Sequence, residues 1–186
     1  MKDVTNTIQR GFTLVELLIV VIILALLAAI VVPQFASSTD DAKLSALRAT
    51  LSNVRAAVDL YYQQHGEYPS ANVSTGGGDC AAGTAGDGAI DTEAAFLQQL
   101  SYYTNKDGAA CTQQNAGKFP FGPYLKKTQL PNNPITGVAT LLVVNTGDLN
   151  LTGSAAGLGW RFDNGSGKFI ANDTNTDVDG NKYDTY

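Results

Sequence analysis

The sequence predicts an α+β protein. One long N-terminal helix, apolar in its first half and amphipathic in its second, packs on a small C-terminal antiparallel β-sheet. Three observations predict it. An apolar run fills residues 12–32. An apolar stripe at helical spacing follows. Short β-prone runs joined by a turn-rich tetrapeptide lie near residue 165. A chain of 186 residues holds one ordinary domain with an appendage.

Residues 1–11 form a polar leader with Lys2, Asp3 and Arg10. The apolar run starts at Phe12 and is interrupted only by Thr13 and Glu16; Leu17 to Val32 holds no polar side chain. A helix over these 21 residues is roughly 31 Å long, about one hydrocarbon thickness. A soluble core helix would show a polar stripe, and this segment has none. A secretory signal would have a shorter apolar region followed by a small-residue cleavage site, whereas Pro33-Gln34-Phe35 follows here. Glu16 lies one turn after Phe12, near one end of the span. A charged residue at the centre of such a span costs on the order of 2.5–3.5 kcal/mol, and less near an end. Two readings stand: a boundary carboxylate that reaches to water, or one that meets a cation. An amine freed at Phe12 by cleavage after Gly11 supplies that cation, and a neighbouring chain presents it better than the same chain does.

The segment Gly11-Phe12-Thr13-Leu14-Val15-Glu16-Leu17-Leu18-Ile19-Val20-Val21, with the charged leader before it and Pro33 after it, resembles the class III signal of type IV pilins and type II secretion pseudopilins. The resemblance implies cleavage between Gly11 and Phe12 by a prepilin peptidase and N-methylation of Phe12. It implies that Glu16 pairs with the Phe12 amine of an adjacent subunit during assembly. It also implies that the helix bends or locally melts at Pro33, whose missing N–H and ring oppose one helical hydrogen bond. Removing a leader of net charge +1 from a chain of net charge -5 leaves -6. The leader's basic residues favour a cytoplasmic N-terminus and a head outside.

Residues 34–66 read as the amphipathic half of the helix. Leu44, Leu47, Leu51, Val54, Val58 and Tyr61 form one stripe, with Arg48 and Arg55 assigned to the exposed face and Gly66 and Pro69 as terminators. The head is then 67–186, preceded by a leader at 1–11 and a transmembrane or filament-core helix at 12–33. Within the head, Ser70 to Ala89 is Gly-, Ala- and Ser-rich loop. Thr92 to Leu100 reads as a short helix capped by Asp91. Val138 to Asn145, Leu158 to Asp163 and Lys168 to Ala171 read as strands, the last two joined through Asn164-Gly165-Ser166-Gly167. Trp160 and Phe162 share a strand face toward the helical stripe. The segments from Tyr61-Tyr62 to Tyr68-Pro69, Gly122 to Leu125, Pro131 to Pro134, and Trp160 to Phe169 are similar to the helix end, connecting segment and final hairpin of pseudopilins, which implies the pilin-like lollipop fold.

Composition narrows the chemistry. Charged residues make up 16% against a usual fraction of about 25%, and the net charge is negative, which argues against nucleic acid as the primary ligand. One His and two Cys leave no His-rich or four-cysteine metal site. His65 stands without a nucleophile motif, so no enzyme is expected, and its place near a helix end reads as a solvated cation. Cys80 and Cys111 lie in loop-like sequence of a head expected outside the cytoplasm. A disulfide closing about 30 residues is worth roughly 2–4 kcal/mol there; two free thiols are the alternative. In the tail, Asn175, Asp177, Asp179 and Gly180 fit the first half of an EF-hand-type loop, with Asp173 two places earlier as a further candidate ligand, but Tyr186 stands where its bidentate Glu belongs. A solvated acidic tail and a single calcium site are both open; the resemblance to major pseudopilins adds weight to calcium but does not assign its ligands residue by residue.

The expected function is structural: a processed subunit that polymerises through its N-terminal helix into a type IV pilus or a type II secretion pseudopilus. The implied partners are further copies of the chain in a helical filament, a prepilin peptidase, an inner-membrane assembly platform and the membrane. The implied location is the bacterial inner membrane, single-pass with the head outside, and then the filament. The alternative is a membrane-anchored binding module that never polymerises.

Overall fold

The computed structural model describes residues 12–76, 79–80 and 83–186, with side chains described outside 32–38. The element order is α1 (Leu14–His65), α2 (Glu93–Ser101), β1 (Tyr103–Thr104), β2 (Ala110–Cys111), β3 (Leu141–Val144), β4 (Trp160–Asp163), β5 (Lys168–Ala171) and a 3-10 turn (Tyr183–Thr185). The chain divides into two compact units, Met1–Ala42 and Lys43–Tyr186.

Helix α1 starts on a reciprocal cap. The Glu16 N–H donates to Thr13 Oγ1 at 3.2 Å, and Glu16 Oε2 accepts from the Thr13 N–H at 2.9 Å. This Thr-x-x-Glu box satisfies two N–H groups that a helix start otherwise leaves open. The helix runs through Pro33 without interruption, so the local melting expected there is not present. It stops at Gly66, whose φ of +79° suits glycine and whose N–H donates to Tyr62 O at 2.8 Å.

In the first unit, Leu14–Val31 has a mean hydropathy of 3.3 and none of it is buried. In the second unit the stripe becomes core. Leu47, Leu51, Val54, Val58 and Tyr61 are buried and Leu44 is half-buried. They pack with Phe96 and Leu100 of α2, Leu130, Leu141, and Trp160, Phe162, Phe169 and Ala171 of the sheet. Trp160 and Phe162 do share the inward face. The aromatic centre is tight: Phe96 lies 4.8 Å from Phe162 and Trp160 lies 5.4 Å from Phe169, between ring centroids. Trp160 Nε1 donates to Pro131 O at 2.9 Å, so the buried indole keeps a partner.

The sheet departs from the expected pattern in one pairing. β4 and β5 form the expected antiparallel hairpin, with Phe162 opposite Phe169. β3 is shorter than the expected strand and pairs parallel to β4, with Leu141 opposite Trp160. The cause lies in the connection. Residues 145–159 are long enough to carry the chain back and enter β4 from the same end, as a parallel pair requires. The small β1–β2 ladder is antiparallel.

The helix α2 is also one residue shorter at its start than expected, and its cap is Thr92. Thr92 has extended backbone angles and its Oγ1 accepts from the Ala95 N–H at 3.2 Å. Asp91 has φ of +60° and cannot cap; its carboxylate instead takes the Asn164 Nδ2–H at 2.7 Å. The irregular 67–92 stretch folds back on α2. Buried Gln99 accepts from the Ser70 N–H and donates to Gly108 O at 3.0 Å. Gly88 approaches so closely that a Cβ there would stand 2.3 Å from Ala95 N.

Candidate assembly segment and head surface

Phe12, at the proposed processing junction, is 87% exposed. Gly11 and the rest of the leader lie outside the described residues. Glu16 is not an isolated carboxylate: its Oε2 takes both the N–H and the hydroxyl of Thr13, each at 2.9 Å. Oε1 accepts from no described residue. The cap therefore holds the carboxylate in place through one of its two oxygens. The sequence placed Glu16 correctly as a polar group at the start of the apolar run. It missed the partnership with Thr13, although the Thr-x-x-Glu spacing before an apolar run is its signal.

Cys80 and Cys111 form a disulfide, with Cα atoms 5.6 Å apart and a sequence separation of 31. Cys111 sits in β2, and the Asp79–Lys118 ion pair lies next to the bridge. The staple joins the Gly-rich 70–89 stretch to the small ladder, two segments with few apolar side chains of their own.

The tail residues do not converge. Asp173 is buried, with Oδ1 accepting from the Gly157 and Asn175 N–H groups at 3.1 and 3.0 Å and Oδ2 buried without a partner. Asp177 closes its own turn. It accepts from the Tyr186 hydroxyl and from the Asn181 and Asp179 N–H groups, which hold its pKa down to about 2. Asn175 and Asp179 are exposed. Among the described residues no three His, Cys, Asp or Glu side chains are grouped around a cation position. Calcium needs six to eight oxygens, so Asp173, Asn175, Asp177 and Asp179 do not fit a shared calcium. Asp173 and Asp177 spend acceptors on backbone N–H groups while Asn175 and Asp179 face outward, which a linear pattern does not show.

The tail does lie on α1. Arg55 Nε donates to Phe169 O at 2.9 Å and Arg55 Nη2 to Tyr186 O at 2.6 Å, while the Arg48 guanidinium stands 4.7 Å over the Tyr186 ring. The two arginines assigned to a free face thus hold the last segment against the helix. His65 is likewise not a solvated cation. Its ring stacks on Tyr61 at 3.9 Å, Nδ1 lies 3.0 Å from Tyr61 O, and Nε2 lies 3.0 Å from Thr104 Oγ1. Burial pushes its pKa down, against hydrogen bonds that raise it.

The comparisons follow the N-terminal geometry. Residues 6–32 match the prokaryotic N-terminal methylation motif. Over 71 residues the chain is 44% identical to a fimbrial protein of Neisseria meningitidis, covering 38% of this chain and 42% of the relative. It is 38% identical over 71 residues to the type IV major pilin protein PilE1 of Neisseria gonorrhoeae, covering 38% and 43%. It is 45% identical over 62 residues to the type II secretion system core protein G of Pseudomonas aeruginosa, covering 33% and 44%. The matches thus span less than half the length of these relatives. No solved structure matches significantly.

Proposed function

From a chain that carries the prokaryotic N-terminal methylation motif and is homologous to type IV major pilins and to the type II secretion protein G, we propose a filament subunit that is cleaved after Gly11, methylated on Phe12 and polymerised through α1. The observation that carries it is the wholly unburied span Leu14–Val31, opened by a capped carboxylate. Apolar surface of that extent needs lipid or neighbouring copies to cover it. In the membrane, lipid covers it; in the filament, the same faces of other subunits do. The head stands outside the cytoplasm, where its disulfide persists.

Glu16 supplies the selectivity of the exchange. An incoming chain places its Phe12 amine beside the free Glu16 oxygen, and the pair loses charge as it leaves water. Function is then mechanical, with binding energy and no turnover. The relatives include both pilus and secretion proteins, and the proposal is made at the level they share, the filament subunit. A non-polymerising anchor has no use for a carboxylate inside its apolar run.

Two measurements test this. Intact mass of the membrane-extracted protein is expected to show a chain beginning at Phe12 and heavier by one methyl group; a chain retaining Met1 to Gly11 contradicts processing. Glu16→Lys is expected to insert into membranes normally and to abolish filaments. Normal filaments from that variant would remove the charge-pairing account.

A further inference from the structure

Four Asn-x-Ser/Thr tripeptides occur in the chain: Asn72-Val73-Ser74, Asn150-Leu151-Thr152, Asn164-Gly165-Ser166 and Asn172-Asp173-Thr174. The pattern is the acceptor for N-linked glycan, and a finished glycan is a bulky surface group. The structure separates the four. Asn164 and Asn172 are buried; Asn164 Nδ2 donates to Asp91, and Asn172 Oδ1 accepts from the Ser154 N–H at 2.6 Å. A glycan on either would open the head. Asn72 is exposed, but its Nδ2 is held by Glu67 at 2.5 Å.

Asn150 differs in three ways. It ends a stretch, residues 145–150, that is exposed throughout. No described residue hydrogen-bonds its carboxamide. It alone of the four has a carboxylate two places earlier, Asp148, where the others have Ser70, Phe162 and Ile170. That charge is a handle by which a transferase can grip the acceptor segment through a cation.

We propose that Asn150 is an N-glycan acceptor, modified outside the cytoplasm by an oligosaccharyltransferase with a polyprenyl-diphosphate-linked oligosaccharide as donor. The inference rests on the extracytoplasmic head proposed above. In the transfer, the Asn150 amide nitrogen forms a bond to the anomeric carbon of the first sugar. The bond from that carbon to the diphosphate oxygen breaks, and the polyprenyl diphosphate leaves with the electron pair. Nδ2 gives one proton to a carboxylate base of the transferase, and nothing is oxidised or reduced. Leu151 is buried, and the Asn150 N–H donates to Asp148 Oδ1 at 2.8 Å. Transfer therefore precedes the docking of Leu151, and the folded head then carries the glycan on an open loop.

The test uses the full chain, coexpressed with a bacterial single-subunit oligosaccharyltransferase and its polyprenyl diphosphate oligosaccharide, then read as tryptic peptides by mass. The four tripeptides fall on separate peptides, 56–106, 128–161, 162–168 and 169–182. One glycan mass is expected on 128–161. It should vanish in Asn150→Gln and Thr152→Ala, persist in Asn72→Gln, and fall about tenfold in Asp148→Ala. A second version carries a flexible acceptor segment after Tyr186. If that segment is modified and 128–161 is bare, the Asn150 proposal is overturned and the extracytoplasmic head stands. If both are bare while an exported control acceptor in the same cells is modified, both readings are overturned.

Discussion

Asp163 is fully buried in β4, where burial alone would raise its pKa. Hydrogen bonds from the Thr146 hydroxyl at 2.6 Å and from the N–H groups of Thr146, Asp148 and Gly165 outweigh that and hold it well below the usual carboxylate range. One carboxylate thus ties the end of β3's following loop to the hairpin turn. Asp163→Asn weakens these bonds and leaves donors poorly matched; hydrogen bonds to a charged group contribute about 1.5–3 kcal/mol each, so a loss on the order of 3 kcal/mol is expected in urea unfolding. The sign with pH follows. A depressed folded pKa stabilises above the unfolded value of about 3.9, and that contribution is lost as pH falls below it. The variant should therefore show a flatter acid limb. His65 works in a higher window. Its folded pKa is lowered, so its contribution is complete above the unfolded value of about 6.5 and declines as pH falls below it. His65→Gln should remove the part of the melting-temperature drop seen between about pH 6.5 and 5. The cysteine pair was legible because cysteines are scarce in this chain. Asp163, Arg55 and His65 were not, because their partners are 17, 114 or 39 residues away in sequence.

Among elements, the second half of α1 was the most legible. Its 3-4 spacing names the core positions directly, and five of the six stripe residues are buried. Leu51→Ala is expected to cost about 2–5 kcal/mol by cavity formation against the Phe96, Trp160 and Phe169 cluster, measured by denaturant unfolding. Exposed Ser52→Ala, one residue on, should change stability by less than about 0.5 kcal/mol. The β4–β5 hairpin was legible through its Asn-Gly turn. The parallel partner β3 was not, since a short apolar strand carries no direction until the length and path of its connection are known. The 70–89 stretch has no periodicity at all; its described residues are tied down by Gln98, Gln99 and the disulfide. Cys80→Ser with Cys111→Ser should therefore lower stability by roughly 2–4 kcal/mol, read as a lower melting temperature than the oxidised parent and no further response to reductant.

At the scale of the whole molecule, two solvents meet in one chain. The apolar span Leu14–Val31 lies in the first compact unit, while the described core cluster lies entirely in the second, Lys43–Tyr186. Every described member of that core lies at or beyond Leu44. The head's own closure is also internal: Arg48 and Arg55 hold Tyr186 and Phe169, and every one of these residues lies beyond position 43. A fragment 43–186 is therefore expected to fold alone, to stay monomeric in water, to melt cooperatively and to retain the Cys80–Cys111 bridge. Added to assembling full-length subunits, it should not enter filaments, because it lacks the span through which the proposed assembly runs. Sedimentation and a thermal scan check the first expectation, and pelleting with filaments checks the second. A fragment that stays unfolded would mean that residues before 43 hold the head together; one that copolymerises would mean that head contacts alone drive assembly. The predicted outcome separates the two tasks physically: under the proposed function, hydrophobic transfer of the span drives insertion and polymerisation, and the stapled head stays folded in whichever of the two settings the span occupies.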